Sequence, residues 1–159
     1  MEPLIRQSTD QAWMLKDLAE TRNLGKHLIE ELPRFETLLL KGPLGAGKTS
    51  LVQGIAIALK ITEPISSPTF ALSQHYAGGK RHLIHIDLYR LDIPESANEL
   101  LLQEEEEGKS LNSLIVVEWP ERLSIQLPEA WQVSLSYEAN GGRNAQLTQP
   151  PFNAKNRFN

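Results

Sequence analysis

Residues 42–49 read Gly-Pro-Leu-Gly-Ala-Gly-Lys-Thr, and this spacing of glycines ahead of a lysine constrains the fold more than any other stretch. Glycines let successive backbone N–H groups turn inward, which makes a concavity suited to an anion. Such a loop needs a strand leading in and a helix leading out, and the flanks predict both. Thr37-Leu38-Leu39-Leu40 is a short apolar run of buried-strand type, while Leu51, Val52, Ile55, Ala56 and Leu59 recur at helical spacing from Lys48 onward. That order puts Gly47 and Lys48 at a helix N-terminus, where free backbone donors and the helix dipole favour phosphate. The pattern predicts a nucleoside triphosphate with Mg²⁺. Leu44, Gly45, Ala46, Gly47, Lys48, Thr49 and Ser50 form the cradle, Lys48 reaches the β- and γ-phosphates, and the Thr49 hydroxyl ligates the metal. The Lys48 side chain is expected to be exposed in the nucleotide-free loop.

With 159 residues, the chain has room for one domain and one site, expected over residues 1–149. Residues 150–159 lack periodicity and are expected to form a disordered tail. Sixteen basic against twenty acidic residues leave a net charge of −4, which argues against gripping nucleic acid through its phosphates alone. With no cysteine, disulfide partners, thiolate metal sites and cysteine nucleophiles are excluded. No apolar run reaches membrane-spanning length and the first residues lack a signal-type stretch, so the expectation is a cytoplasmic protein without a membrane partner.

Pro3 to Gln7 reads as a short strand, and Ser8-Thr9-Asp10-Gln11 as a capping box opening a helix. Met14, Leu18, Thr21, Gly25, Leu28 and Leu32 would then form its buried face, with an end by Pro33. Ile61 to Pro68 is a loop, and Phe70–Tyr76 and Ile84–Tyr89 alternate as a hairpin around Ala77-Gly78-Gly79-Lys80. His85 and Asp87 share a face; His82 and His85 point to opposite faces and read as satisfied or exposed rather than metal-bound. Pro94 to Leu102 suggests a short helix whose solvated end is the run Glu104–Glu107, with a contact face for a basic partner as the alternative. Leu114-Ile115-Val116-Val117 is a buried strand that ends in Glu118-Trp119-Pro120. An acid in that place either caps the following turn or faces the phosphates. Trp131–Tyr137, a turn at Asn140-Gly141-Gly142, and Arg143–Thr148 complete a second hairpin.

Four ordered motifs carry more than the glycine loop alone: Leu44-Gly45-Ala46-Gly47-Lys48-Thr49, Ser67-Pro68-Thr69-Phe70, His85-Ile86-Asp87-Leu88-Tyr89-Arg90-Leu91 and Val117-Glu118-Trp119-Pro120-Glu121. Across about residues 10 to 148 the chain resembles the TsaE (YjeE) family, small ATPases of bacterial threonylcarbamoyladenosine synthesis at position 37 of tRNAs. Pro43 and Ser50 depart from residues common there, and neither removes a phosphate-binding group. The resemblance implies an α/β P-loop NTPase-like three-layer fold with a central mixed β-sheet. It implies ATP and Mg²⁺ as ligands, TsaD and TsaB as partners, and tRNA reached only through that complex.

On that basis Lys48, Asp87 and Glu118 are the catalytic candidates. Thr49, Asp87 and Glu118 are the metal candidates, and Glu118 orients or deprotonates the attacking water. Thr69 lies in a segment able to sense the γ-phosphate, Trp119 packs near the nucleotide or faces a partner, and Arg90 serves either the transition state or an interface. A small-molecule kinase would need an acceptor pocket and lid, for which the chain has no insertion. A GTPase would need an N-K-x-D motif, which does not follow the loop. A nucleotide-gated assembly module requires the same ligands as an ATPase and stays open.

Overall fold

The two apolar strands picked out by the sequence lie side by side in the middle of the molecule, and everything else is layered on them. The computed structural model describes residues 11–150. In chain order its elements are β1 (Gln11–Leu15), α1 (Leu18–Glu30), β2 (Thr37–Lys41), α2 (Lys48–Ala58), β3 (Ser73–Tyr76), β4 (Leu83–Asp87), α3 (Pro94–Leu111), β5 (Leu114–Glu118), a 3₁₀ turn (Pro120–Arg122), β6 (Trp131–Tyr137) and β7 (Arg143–Thr148). The seven strands make one sheet in the order β1-β7-β6-β2-β5-β4-β3. Strands β6, β2, β5 and β4 are mutually parallel, while β7 and β3 pair antiparallel with their neighbours. The sheet is mixed, as expected.

Strand alternation sorts the core into two layers. Leu114 and Val116 of β5 join Leu38 and Leu40 of β2 beneath α1 and α2. Ile115 and Val117 join Ile84 and Ile86 of β4 beneath α3. All five residues of β4, and all five of β5, are buried, as strands covered on both faces should be.

Helices α1 and α2 meet backbone to backbone. A Cβ placed on Gly25 would lie 2.2 Å from the Leu51 carbonyl oxygen, and one on Gly54 would lie 1.9 Å from that of Arg22. Glycine is required at both positions because no side chain fits between the two helices.

Three expectations are corrected. Gln11 begins β1, so it opens no helix; Pro3–Gln7, and Ser8 to Asp10 of the expected capping box, lie outside the described residues, as do residues 151–159. The first helix starts at Leu18, where Asp17 Oδ1 accepts from Glu20 N at 2.9 Å and Glu20 Oε2 accepts from Lys16 N at 2.5 Å. Asp17 is therefore the N-cap, with Glu20 reaching back one residue beyond it to Lys16 N–H, instead of the upstream box. Thr21, Gly25 and Leu28 are buried as expected, but Met14 and Leu18 are exposed.

The β3–β4 hairpin begins later than predicted because Pro68 to Leu72 turns: Leu72 N–H donates to Pro68 O at 2.7 Å, with Leu72 at φ 66°. Finally, α3 runs unbroken through the glutamate run to Leu111. Ala97, Leu101, Glu104 and Gly108 form its buried stripe at helical spacing. Glu104 is therefore buried rather than solvated. Its oxygens accept from Ser73 Oγ at 3.0 Å and His75 Nε2 at 2.6 Å.

Replacing Gly54 with Ala should destabilise the protein by on the order of 3 kcal/mol, since backbone must move to admit the methyl. Gly78→Ala, where nothing lies within 4 Å of the added carbon, should be close to neutral. Equal urea midpoints for the two variants would contradict the backbone contact.

Candidate functional site

Strand β2 ends at Lys41 and delivers the chain into the glycine loop at the carboxyl edge of the parallel strands, where open α/β sheets hold their ligands. Gly45 and Gly47 have φ of 78° and 105°, angles that residues with a Cβ adopt at a cost. The loop closes on itself through Ala46 N–H to Pro43 O at 3.2 Å and continues into α2 through Leu51 N–H to Gly47 O at 2.9 Å.

Two side chains from the distant β6–β7 hairpin support it. Tyr137 Oη donates to Leu44 O at 2.8 Å, and Arg143 Nε donates to Ala46 O at 2.8 Å. The sequence reading missed both residues. They stand more than ninety positions from their partners, a separation at which no local pattern carries a signal.

Lys48 corrects the expectation of an exposed side chain: it is 5% exposed. Its Nζ donates to Gly42 O at 2.6 Å and sits 4.3 Å from the centre of the Trp119 ring. Burial disfavours the ammonium and lowers its pKa below the usual lysine value, against the raising pull of Glu118, then Asp87 and Glu121.

The two acids reach the same edge through strand register. Asp87 is paired with Glu118 across β4 and β5, and Glu118 with Leu40 across β5 and β2. Both carboxylates are 3% exposed. By alternation both lie on the face that α2 covers, as do Leu83, His85, Leu114 and Val116 of the same strands.

Each acid is held in its own way. Asp87 Oδ2 accepts from Thr69 Oγ1 at 3.0 Å and Ser67 Oγ at 3.3 Å, and Asp87 Oδ1 accepts from Tyr89 N–H at 3.0 Å. The Ser67–Phe70 segment is thereby tied to the metal candidate itself. Glu118 Oε2 accepts from His85 Nε2 at 2.5 Å. His85 is fully buried and its Nδ1 has no partner, so Nε2 is the ring nitrogen that donates, and it is aimed at Glu118. His85 is thus satisfied on one ring nitrogen only, and its partner there is the strand-end acid.

Trp119 follows at φ 60°, a left-handed conformation uncommon for a bulky residue. It packs its ring between Lys48 and Tyr89, with a centroid distance to Tyr89 of 4.8 Å. Arg90 is exposed and stacks 4.4 Å from the Phe70 ring, which is itself 86% exposed. The structure brings Arg90 to the Ser67–Phe70 segment.

A cleft of about 770 Å³ lies elsewhere. Phe35, Ser113 and Trp131 line it at the amino ends of β2, β5 and β6, the far edge of the sheet from Lys48. The donor set at the carboxyl edge is a different kind of site. A hydroxyl on Thr49 and carboxylates on Asp87 and Glu118 are hard oxygen ligands of the sort Mg²⁺ takes. A buried ammonium at the N-terminus of α2, where backbone N–H groups lack helical partners, suits phosphate oxygens. These residues fit a Mg²⁺-bound nucleoside triphosphate.

The family model for "Threonylcarbamoyl adenosine biosynthesis protein TsaE" matches residues 15–145. The chain is 44% identical over 140 residues to the tRNA threonylcarbamoyladenosine biosynthesis protein TsaE of Nostoc sp., covering 87% of this chain and 85% of that one. It is 38% identical to the protein of the same name from Treponema pallidum, covering 80% and 90%. Its fold is similar to the crystal structure of Bacillus subtilis YdiB, with a TM-score of 0.70 and 23% identity, over 93% of this chain and 90% of that one.

The folded chain holds the Lys48 proton less tightly than the unfolded chain does. The buried ammonium therefore counts against stability at neutral pH, and this penalty shrinks as pH rises through the folded-state value. Lys48→Met should melt no lower than the parent without nucleotide, yet lose the rise in melting temperature that Mg·ATP gives the parent. An unchanged ATP-induced rise in the variant, read by scanning calorimetry, would remove Lys48 from the site.

Proposed function

The chain belongs to the TsaE family, and we propose that it is a P-loop ATPase of threonylcarbamoyladenosine synthesis, binding and hydrolysing Mg·ATP in support of a TsaB–TsaD complex that acts on tRNA. One observation carries this reading: a buried lysine and two buried carboxylates, from three separate elements, converge on the glycine loop at the carboxyl edge of the sheet. Structural roles alone do not call for burying three charges together.

In this reading Lys48 and the backbone amides of residues 45–49 bind the phosphates. Thr49, Asp87 and Glu118 hold Mg²⁺, directly or through water, and the metal when bound neutralises charge on the phosphate oxygens. Glu118 orients the attacking water and accepts its proton. The hydrogen bond from His85 Nε2 occupies one carboxylate oxygen of Glu118, which leaves the other for that task. Thr69 and Ser67 share Asp87 Oδ2, so their hydroxyls would be free to turn to a bound nucleotide when Asp87 serves as a metal ligand.

Arg90 is occupied with Phe70, and Arg143 with the carbonyls of Ala46 and Gly45. Neither of these two arginines is committed to phosphate, and hydrolysis by the isolated protein should be slow. Partner docking over the exposed Phe70 side of the site would complete it; an arginine or ordering contact supplied in trans is worth ~10³–10⁵ in rate in other P-loop proteins. A place in the cytoplasm is part of the same proposal; among the described residues no helix is long and apolar enough to cross a membrane.

The test uses steady-state phosphate release by the protein alone and with saturating TsaB–TsaD. Partners should raise the parental rate. Glu118→Gln should keep ATP affinity while losing about 10²-fold or more in stimulated turnover. If Glu118→Gln abolishes hydrolysis but leaves tRNA modification over many turnovers intact, the nucleotide-gated assembly role replaces the ATPase reading.

A further inference from the structure

The opposite face of the hairpin holds a second cluster that the nucleotide reading does not use. His75 on β3 and Glu104 and Glu107 on α3 bring one imidazole nitrogen and two carboxylate oxygens within 4.8 Å of one another. We propose that His75, Glu104 and Glu107 bind a divalent transition-metal ion of the zinc type, which clamps the β3–β4 hairpin to α3.

The placement follows from simple periodicities. Glu104 and Glu107 are three apart on a helix and so share a side. Ser73 and His75 alternate away from Tyr76, which is buried in the layer under α1 and α2, so they face α3 instead. The cluster therefore lies across the sheet from Asp87 and Glu118. One imidazole and two carboxylates is a donor set that zinc accepts, and three protein ligands leave a fourth position for water. Exposed Glu107 lies at the solvent side, giving the ion an entry path, whereas Glu104 is 8% exposed and anchored by Ser73 Oγ at 3.0 Å.

The outer contacts match as well. His75 Nε2 faces Glu104 Oε2 at 2.6 Å, and His75 Nδ1 faces His82 Nε2 at 2.9 Å. When the ion takes Nε2, the remaining ring proton sits on Nδ1 and is donated to His82, the kind of outer hydrogen bond that orients metal-binding histidines. His82 thus remains a supporting residue. The ion would take the place of the proton between His75 Nε2 and Glu104 Oε2.

The consequence concerns the hairpin as a whole. Strand β4 ends at Asp87 and β3 follows the Ser67–Phe70 segment, so fixing the hairpin on α3 fixes the frame from which both project.

The experiment titrates Zn²⁺ into the nucleotide-free full chain, with excess Mg²⁺ present to cover hard-oxygen sites, and reads stoichiometry and affinity calorimetrically. One equivalent should bind and raise the melting temperature. Glu107→Ala, at an exposed helical position where folding is safe, should weaken binding by at least about tenfold. His75→Ala should weaken it by at least as much, and His82→Leu should weaken it by about 10-fold to 100-fold. Co²⁺ in place of Zn²⁺ should show visible bands of four-coordinate type that disappear in Glu107→Ala. No saturable binding, or equal affinity in the parent and Glu107→Ala, would overturn the proposal. Loss of ATP binding in a separate assay would leave it standing, because the two sites share no ligand.

Discussion

Everything at the carboxyl edge of the sheet depends on keeping three charged groups out of water at once. Lys48, Asp87 and Glu118 are each no more than 5% exposed, and among the described residues no carboxylate lies within ion-pairing distance of Lys48 Nζ. Burying charges without direct pairing costs several kcal/mol, roughly, unless hydrogen bonds make up the difference. Here they do so one group at a time: Gly42 O for Lys48, Ser67, Thr69 and Tyr89 N–H for Asp87, and His85 for Glu118. Each bond is of a kind that a phosphate, a metal ion or a water can replace or supplement. The arrangement is stable enough to exist and remains open to a ligand.

Holding charges so close requires a rigid frame, and the frame is built from close approach. The α1–α2 contact through Gly25 and Gly54 brings the loop-bearing helix against its neighbour with no side chains between. Tyr137 and Arg143 tether loop carbonyls from the other flank. Trp119, at positive φ immediately after Glu118, turns the chain sharply, so that the strand-end acid and the ring against Lys48 are consecutive residues. Strain of this sort persists where the surroundings over-determine it and concentrates at functional sites.

The sequence made the middle of the sheet legible because its signals there are local and mutually consistent. The apolar runs 37–40 and 114–117, the glycine loop and the periodic face of α2 each predict their neighbours. It was less informative where two local patterns competed. Ser8 to Gln11 and Asp17 to Glu20 both have capping form, and burial of Thr21, Leu24 and Leu28 selects the second. The glutamate run looked like a solvated end, yet Glu104 falls on the stripe of Ala97, Leu101 and Gly108 and finds a histidine to receive it. Lys48 was read as exposed because the loop's neighbours in space, Trp119 above all, are distant in sequence. The supports from Tyr137 and Arg143 were invisible for the same reason.

Asp87 holds the Ser67–Phe70 segment and, in the proposed function, would also serve the metal of a bound nucleotide. Hydrogen exchange at the Leu72 and Tyr89 amides tests this directly. Leu72 N–H closes the Pro68–Leu72 turn that contains most of the segment, and Tyr89 N–H rests on Asp87 Oδ1. With Mg·ATP both amides should exchange at altered rates, Leu72 more slowly as the segment orders on the nucleotide. ATP with the metal chelated should leave both close to their nucleotide-free rates. Identical exchange with and without Mg²⁺ at saturating ATP would contradict the shared role of Asp87, and with it the coupling of segment to site.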